Sequence, residues 1–89
     1  MDVLNKNFES AIQIVNNLKQ KPSNEDLLII YGLFKQAKFG DNNEPQPGFL
    51  DFKGYKKWEA WNKNKGITED EAKQNYINKA MELFKTHGQ

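Results

Sequence analysis

Tyr31, Phe34 and Lys35 are the residues of this chain best placed to do chemistry together, because spacings of three and four put them on one face of a helix. They offer a phenol, a flat ring and an ammonium group. Lys53 and Lys57 repeat the four-residue spacing with Lys56 beside them, and residues 53–65 hold five lysines against one acid, Glu59. Tyr76 supplies a further phenol. Ammonium groups and phenols suit phosphate and an aromatic face suits a base, so the set fits a phosphorylated nucleotide. Spacing alone leaves that reading open against a blander one, in which the rings pack in a core and the lysines form a solvated face.

Other chemistries find less support. Nucleophilic catalysis needs a base beside Ser, Thr or Cys, and the single histidine, His87, is the third residue from the end of the sequence. Glu69, Asp70 and Glu71 cluster where a helix begins, where acids favour its dipole. The run Asp41-Asn42-Asn43 lacks the alternating ligands and distal Glu of a calcium loop. No metal site and no catalytic residue is expected, so the residues argue for binding rather than catalysis.

Four helical segments must position the site. In the first, Leu4, Phe8, Ala11, Ile12, Val15 and Leu18 recur at spacings of three and four, and Pro22 closes the segment. Ser23 is a natural N-cap for the second, expected over 24–38, with Glu25 and Asp26 in its first turn. Leu27, Ile30, Tyr31, Phe34 and Ala37 share a face of that helix. Gly32 lies inside it at a helix cost of about 1 kcal/mol relative to Ala. It reads either as a surface glycine or as a point where a ligand approaches the backbone. A long connection over 39–50 is rich in Gly, Pro, Asn and Asp. Asp51 can cap a third helix over 52–63, with Phe52, Tyr55, Trp58 and Trp61 along it. Trp61 reads as structural, whereas Trp58 reads equally as core and as a ring with one edge at the ligand. Thr68 and Glu71 form a capping-box pattern ahead of a fourth helix running to about 86, and Gly88 suits a stop. No strand, repeat or low-complexity tract is expected, so the fold class is all-α.

Composition narrows the partners. The 89 residues fit one domain over 1–89, and 12% aromatic residues argue against disorder. Net charge is +1, and all thirteen basic residues are lysine, which disfavours a nucleic-acid partner. With no cysteine, disulfides and thiolate chemistry are excluded. The first residues do not read as a signal peptide, and no apolar run approaches the ~20 residues that span a bilayer. A cytoplasmic monomer is the expectation.

The stretch Tyr31-Gly32-Leu33-Phe34-Lys35-Gln36-Ala37 resembles the Tyr-x-x-Tyr/Phe-Lys-Gln-Ala signature of the acyl-coenzyme A binding protein family. Gly40-Asp41, then Pro47-Gly48-Phe49-Leu50-Asp51-Phe52-Lys53-Gly54, then Lys57-Trp58-Glu59-Ala60-Trp61 follow in the family's order and spacing. The resemblance extends from Phe8 to about Phe84, nearly the whole chain. It implies an up-down-down-up four-helix bundle with a long overhand loop between helices 2 and 3. It implies a carrier and pool buffer for long-chain fatty acyl-CoA, bound without covalent change and without a cofactor. Acyl-CoA-using enzymes and, transiently, membrane surfaces are the expected partners. By position, Tyr31, Lys35 and Lys57 should hold the 3′-phosphate and Phe34 should stack on adenine. Lys53 and Tyr76 should line the head-group or thioester region, with Gly32, Leu33 and Asn16 also at the ligand. Phe8, Ala11, Ile12 and Leu28 should flank the acyl chain. Phe34 stands where Tyr is frequent, which keeps the stacking face and loses a hydroxyl. Gln46 stands where a basic residue is common and Asn16 where some members have Lys, which removes positive charge near the head-group site or its approaches. The alternative is a helical protein-interaction domain that keeps the fold without the ligand.

Overall fold

A computed structural model describes residues 2–88, and four helices appear in it: α1 (Val3–Asn16), α2 (Asn24–Phe39), α3 (Phe52–Asn62) and α4 (Glu69–His87). No strand occurs among the described residues. The caps expected from sequence are in place. The Ser23 hydroxyl accepts from the Asp26 N–H at 3.1 Å, and an Asp51 carboxylate oxygen accepts from the Gly54 N–H at 2.9 Å. The Thr68 capping box is reciprocal, with Glu71 N–H donating to the Thr68 hydroxyl at 3.0 Å and Thr68 N–H donating to the Glu71 carboxylate at 3.1 Å. Asp2 caps α1 in the same way, accepting from the Asn5 N–H. Two boundaries differ from the periodicity. α1 ends at Asn16, before Leu18, where the Asn17 N–H turns back on the carbonyls of Gln13, Ile14 and Val15. α2 runs one residue further, to Phe39, and stops at Gly40, whose φ of +76° only glycine adopts readily.

Side-chain pairs give the directions. α1 and α4 run parallel, with Lys73 donating to Asn5 at 2.6 Å near their starts and the Gln20 N–H reaching the His87 carbonyl at 2.9 Å past their ends. α2 runs antiparallel to α4, with Asp26 paired to Lys79 at 2.9 Å at one end and Gln36 bonded to the Ile67 carbonyl at 2.8 Å at the other. α2 and α3 are parallel, with Tyr31 beside Lys57 and Lys35 beside Trp61. The bundle is therefore up-down-down-up. The helix backbones touch in the order α1, α4, α2, α3, and α1 and α2 meet through side chains rather than backbone. The molecule is a flattened body of 37 × 31 × 14 Å.

The core lies where α1, α2 and α4 converge. Phe8, Ala11, Ile30, Leu33, Ala37, Ala72, Tyr76, Ala80 and Leu83 form it, with Ile12, Val15, Leu18 and Phe34 packed at its margin. Burying each large apolar side chain stabilises the fold by about 1.5–3 kcal/mol. α3 is held to the far side of α2 by close backbone contact. A Cβ on Gly32 would meet the carbonyl of Ala60, so a helix packs where a side chain would be. This replaces both expectations for Gly32: it is buried, and the backbone approaching it belongs to α3.

The overhand connection, residues 40–51, is pinned by polar groups. One Asp41 carboxylate oxygen accepts from the Gln36 amide and the Gly66 N–H, each at 2.9 Å. Buried Asn42 donates to the Trp58 carbonyl at 3.2 Å and accepts from the Glu44 N–H at 2.8 Å. Both indoles donate into this stretch, Trp61 to the Gly40 carbonyl and Trp58 to the Glu44 carbonyl, each at 2.8 Å. These bonds fix where α3 lies on α2, and with it the placing of Lys57 against Tyr31.

Candidate ligand-binding site

The structure brings Tyr31, Lys35 and Lys57 to one place. The Lys35 ammonium is 6.0 Å from the Tyr31 ring centroid and the Lys57 ammonium 5.4 Å from the same ring. Two elements supply these charges, α2 and α3, and the Gly32–Ala60 contact sets their separation. Neither lysine has a carboxylate in salt-bridge range among the described residues, whereas Lys38, Lys73 and Lys79 do. Two unneutralised ammonium groups close to one phenol have the chemistry to hold a compact polyanion such as a phosphate.

Lys35 is held among three rings. Besides Tyr31, its ammonium lies 4.5 Å from the Phe39 ring centroid and 4.8 Å from that of Trp61. Such contacts orient a cation over ring faces without neutralising it. Phe39 was not singled out from sequence, although it follows Lys35 by four residues, the spacing that places neighbours on a helix face. Trp61 is buried and bonded to the loop, which agrees with a structural role. Trp58 is half-buried, with its N–H committed to Glu44 and its ring 6.0 Å from Tyr55.

Phe34 belongs to an aromatic trio, at 6.4 Å from both Phe8 and Tyr76, and remains half-exposed. It therefore has one side on the core and one side open. Phe8 and Tyr76 meet edge to face at 5.2 Å beneath it. Lys38, also missed from sequence, sits 5.9 Å from both the Phe8 and Phe34 rings and 3.7 Å from the Glu9 carboxylate. It bridges α1 and α2 where their backbones do not touch. Burial pushes the Tyr76 phenol up to about 12, so it stays a neutral hydrogen-bond donor at any physiological pH.

The remaining expected residues scatter. Phe8 and Ala11, each 2% exposed, are buried in the core. Leu33 is likewise a core residue. Ile12 is half-buried at the margin of that core. Leu28 lines a cleft of about 330 Å³ between α2 and α3, with Ile29 and Leu33 beside it and Glu25, Lys56 and Lys63 among its charged residues. None of Tyr31, Phe34, Lys35 and Lys57 lines that cleft. Lys53 and Asn16 are exposed, the first on the opening turn of α3 and the second at the last residue of α1. Among the described residues no group of acidic, histidine or cysteine side chains is arranged to hold a metal, and no helix is long and apolar enough to cross a membrane.

A small all-α bundle with an overhand loop, two ammonium groups close to one phenol on two parallel helices and a half-exposed aromatic ring nearby defines the class: a four-helix domain with a candidate anion site. Comparison with known proteins sharpens this. Residues 5–80 match the model of the family described as acyl-CoA-binding protein. The chain is 47% identical over 75 residues to an acyl-CoA-binding protein homolog of Drosophila melanogaster, covering 84% of this chain and 87% of that protein. The crystal structure of acyl-CoA-binding protein 2 from Oryza sativa is similar with a TM-score of 0.89 at 36% identity, covering 93% of this chain and 90% of that one. The acyl-CoA-binding protein of Moniliophthora perniciosa is similar with a TM-score of 0.87 at 37% identity, covering 97% and 83%. This chain belongs to the acyl-CoA-binding protein family.

Proposed function

We propose that the protein binds long-chain fatty acyl-CoA esters non-covalently and acts as an intracellular carrier and pool buffer for them, as a single domain over 1–89 and as a cytoplasmic monomer. The observation that carries this reading is the pair of ammonium groups, Lys35 and Lys57, that lie close to Tyr31 with no carboxylate in salt-bridge range among the described residues. In this reading they hold the 3′-phosphate of the coenzyme A head, with the Tyr31 hydroxyl donating to it. Adenine stacks on the open side of Phe34. Lys53 and the neutral Tyr76 phenol serve the head-group and thioester region.

The acyl chain lies along half-buried apolar side chains, Ile12 on α1 and Leu28 on α2, with Phe8 and Ala11 supporting that surface from beneath. About ten buried methylenes are worth roughly 8 kcal/mol of transfer free energy. The phosphate contacts then supply identity and the chain supplies affinity. Carriage needs no chemistry at the thioester, which agrees with a site built from ammonium groups, phenols and rings.

Incubation of the pure protein with palmitoyl-CoA tests the reading as a carrier. One equivalent should bind and the thioester should remain intact, while a short oligonucleotide should not compete. Hydrolysis above the uncatalysed rate, or displacement by the oligonucleotide, overturns it.

A further inference from the structure

Phe39, the last residue of α2, is 63% exposed, and a ring so placed gains little from burial. Its face meets Lys35, one helical turn earlier. The Lys35 ammonium lies 4.5 Å from the Phe39 ring centroid and 4.8 Å from that of Trp61, and the two rings are 6.3 Å apart with planes tilted by 54°. The ammonium thus sits over two tilted ring faces at nearly equal distance. Both rings stand on fixed bases. Trp61 is buried and donates to the Gly40 carbonyl at 2.8 Å, and the Gly40 N–H closes the end of α2 on the Gln36 carbonyl at 3.0 Å. Lys57 lacks such support. It is exposed, and among the described rings its ammonium lies over Tyr31 alone, at 5.4 Å. One lysine of the pair is therefore held by aromatic faces and the other is left to solvent.

We infer that Phe39 is a positioning residue for phosphate recognition: with Trp61 it holds the Lys35 ammonium in place before the ligand arrives. The inference rests on the proposed phosphate role of Lys35 and adds the device that prepares it. A solvated lysine loses rotamer freedom when a ligand fixes it, and a lysine already held loses less at that moment. Ring faces suit this task better than a carboxylate would. They attract the cation and leave its charge uncancelled, so it can still meet a phosphate. A purely structural role fits Phe39 less well, because most of its ring is in water and the stop of α2 is made by Gly40.

Calorimetric titration of Phe39→Leu with palmitoyl-CoA and with its 3′-dephospho analogue tests this. Leucine keeps apolar bulk and removes the ring face. Affinity for palmitoyl-CoA should fall about two- to fivefold, the range for one cation–π contact at an exposed site, while affinity for the analogue stays at the parent value. Phe39→Tyr, which keeps the face, should restore the parent affinity. In the unliganded protein the ε-methylene proton signals of Lys35 should lie upfield of a solvated lysine and move back towards that position in Phe39→Leu. Equal losses for both ligands overturn the inference, since the ring would then touch the ligand or hold the fold rather than prepare Lys35. Tighter binding by Phe39→Leu overturns it too, because the ring would then keep Lys35 from the phosphate. Lys35 signals that the substitution leaves in place have the same consequence. A parent protein that binds both ligands equally overturns the phosphate role of Lys35 and this inference together, whereas a phosphate preference that Phe39→Leu retains in full overturns the inference alone.

Discussion

Gly32→Ala separates two opposite expectations. On an exposed helix face the substitution stabilises by about 1 kcal/mol, because Ala is the better helix former. Here the new methyl group points at the Ala60 carbonyl, and the atoms in the way belong to the backbone of α3. No rotamer change removes a backbone atom, so α2 and α3 must separate. Overpacking of this kind costs about 1–3 kcal/mol. Rigid neighbours put the cost in the upper part of that range, and the helix gain offsets about 1 kcal/mol, leaving a net loss of about 1–2 kcal/mol. Urea unfolding should show a lower midpoint at an unchanged slope. For a domain of this size each kcal/mol corresponds to about 4–8 °C in Tm. Ala60→Gly should not rescue the variant, because the obstruction is the carbonyl rather than the Ala60 methyl. The same displacement carries Lys57 away from Tyr31, so affinity for acyl-CoA should fall as well. A Gly32→Ala protein that is more stable than the parent by about 1 kcal/mol, with unchanged ligand affinity, refutes the close contact and its role in setting the site.

Lys35→Ala and Lys57→Ala should each weaken acyl-CoA binding by about 1.5–3 kcal/mol, and much less for a ligand lacking the 3′-phosphate; equal losses for both ligands in calorimetry would remove these lysines from phosphate recognition. Phe34→Tyr should keep stability and affinity, whereas Phe34→Ala should lose about 1.5–2.5 kcal/mol of stability, half the cost of a fully buried ring, and a further ~1–3 kcal/mol of ligand stacking; thermal melts with and without ligand separate the two losses. At high pH the Tyr76 phenol, raised by burial to about 12 against its ordinary 10.0, keeps its full contribution to stability below pH 10 and loses it as pH climbs towards 12; chemical denaturation across that window should show a decline that Tyr76→Phe reduces. At the acid end, the Gly66 N–H and then the Gln36 amide hold the Asp41 carboxyl below its ordinary value of 3.8, so its contribution is present above that pH and is lost as the pH falls below it; Asp41→Asn should flatten this part of the acid unfolding curve.

What could be read from sequence was what helical geometry determines locally. The Thr68–Glu71 box, the Ser23 and Asp51 caps and the apolar stripes of α1 and α4 depend on partners three or four residues away. They were therefore visible in spacing. Gly32 was not, because the atom that explains it lies on Ala60, 28 residues later and on another helix. Asp41 stands in a run that lacks the pattern of a calcium loop, and it is a pin between Gln36 and Gly66, two partners that only the folded overhand loop brings together. Periodicity marked Phe8 and Ala11 as apolar positions. It could not say that they are buried to 2% exposure in the core shared with α2 and α4. Spacing singled out Tyr31, Lys35 and Lys57 as candidates for a phosphorylated ligand, and the family resemblance assigned the three to one phosphate. The aromatic cradle around Lys35 required the structure, although the Lys35–Phe39 spacing was already a clue.

Calorimetric titration of the unmodified protein with palmitoyl-CoA, coenzyme A and palmitate tests the central claim most directly. A site that combines an ammonium pair for phosphate with an apolar surface for the chain predicts one-to-one binding of palmitoyl-CoA, far tighter than that of either half. Palmitate should bind weakly for want of the phosphate contacts, and coenzyme A weakly for want of the methylenes. Equal affinity for coenzyme A and palmitoyl-CoA would contradict the account, since the apolar surface would then contribute nothing.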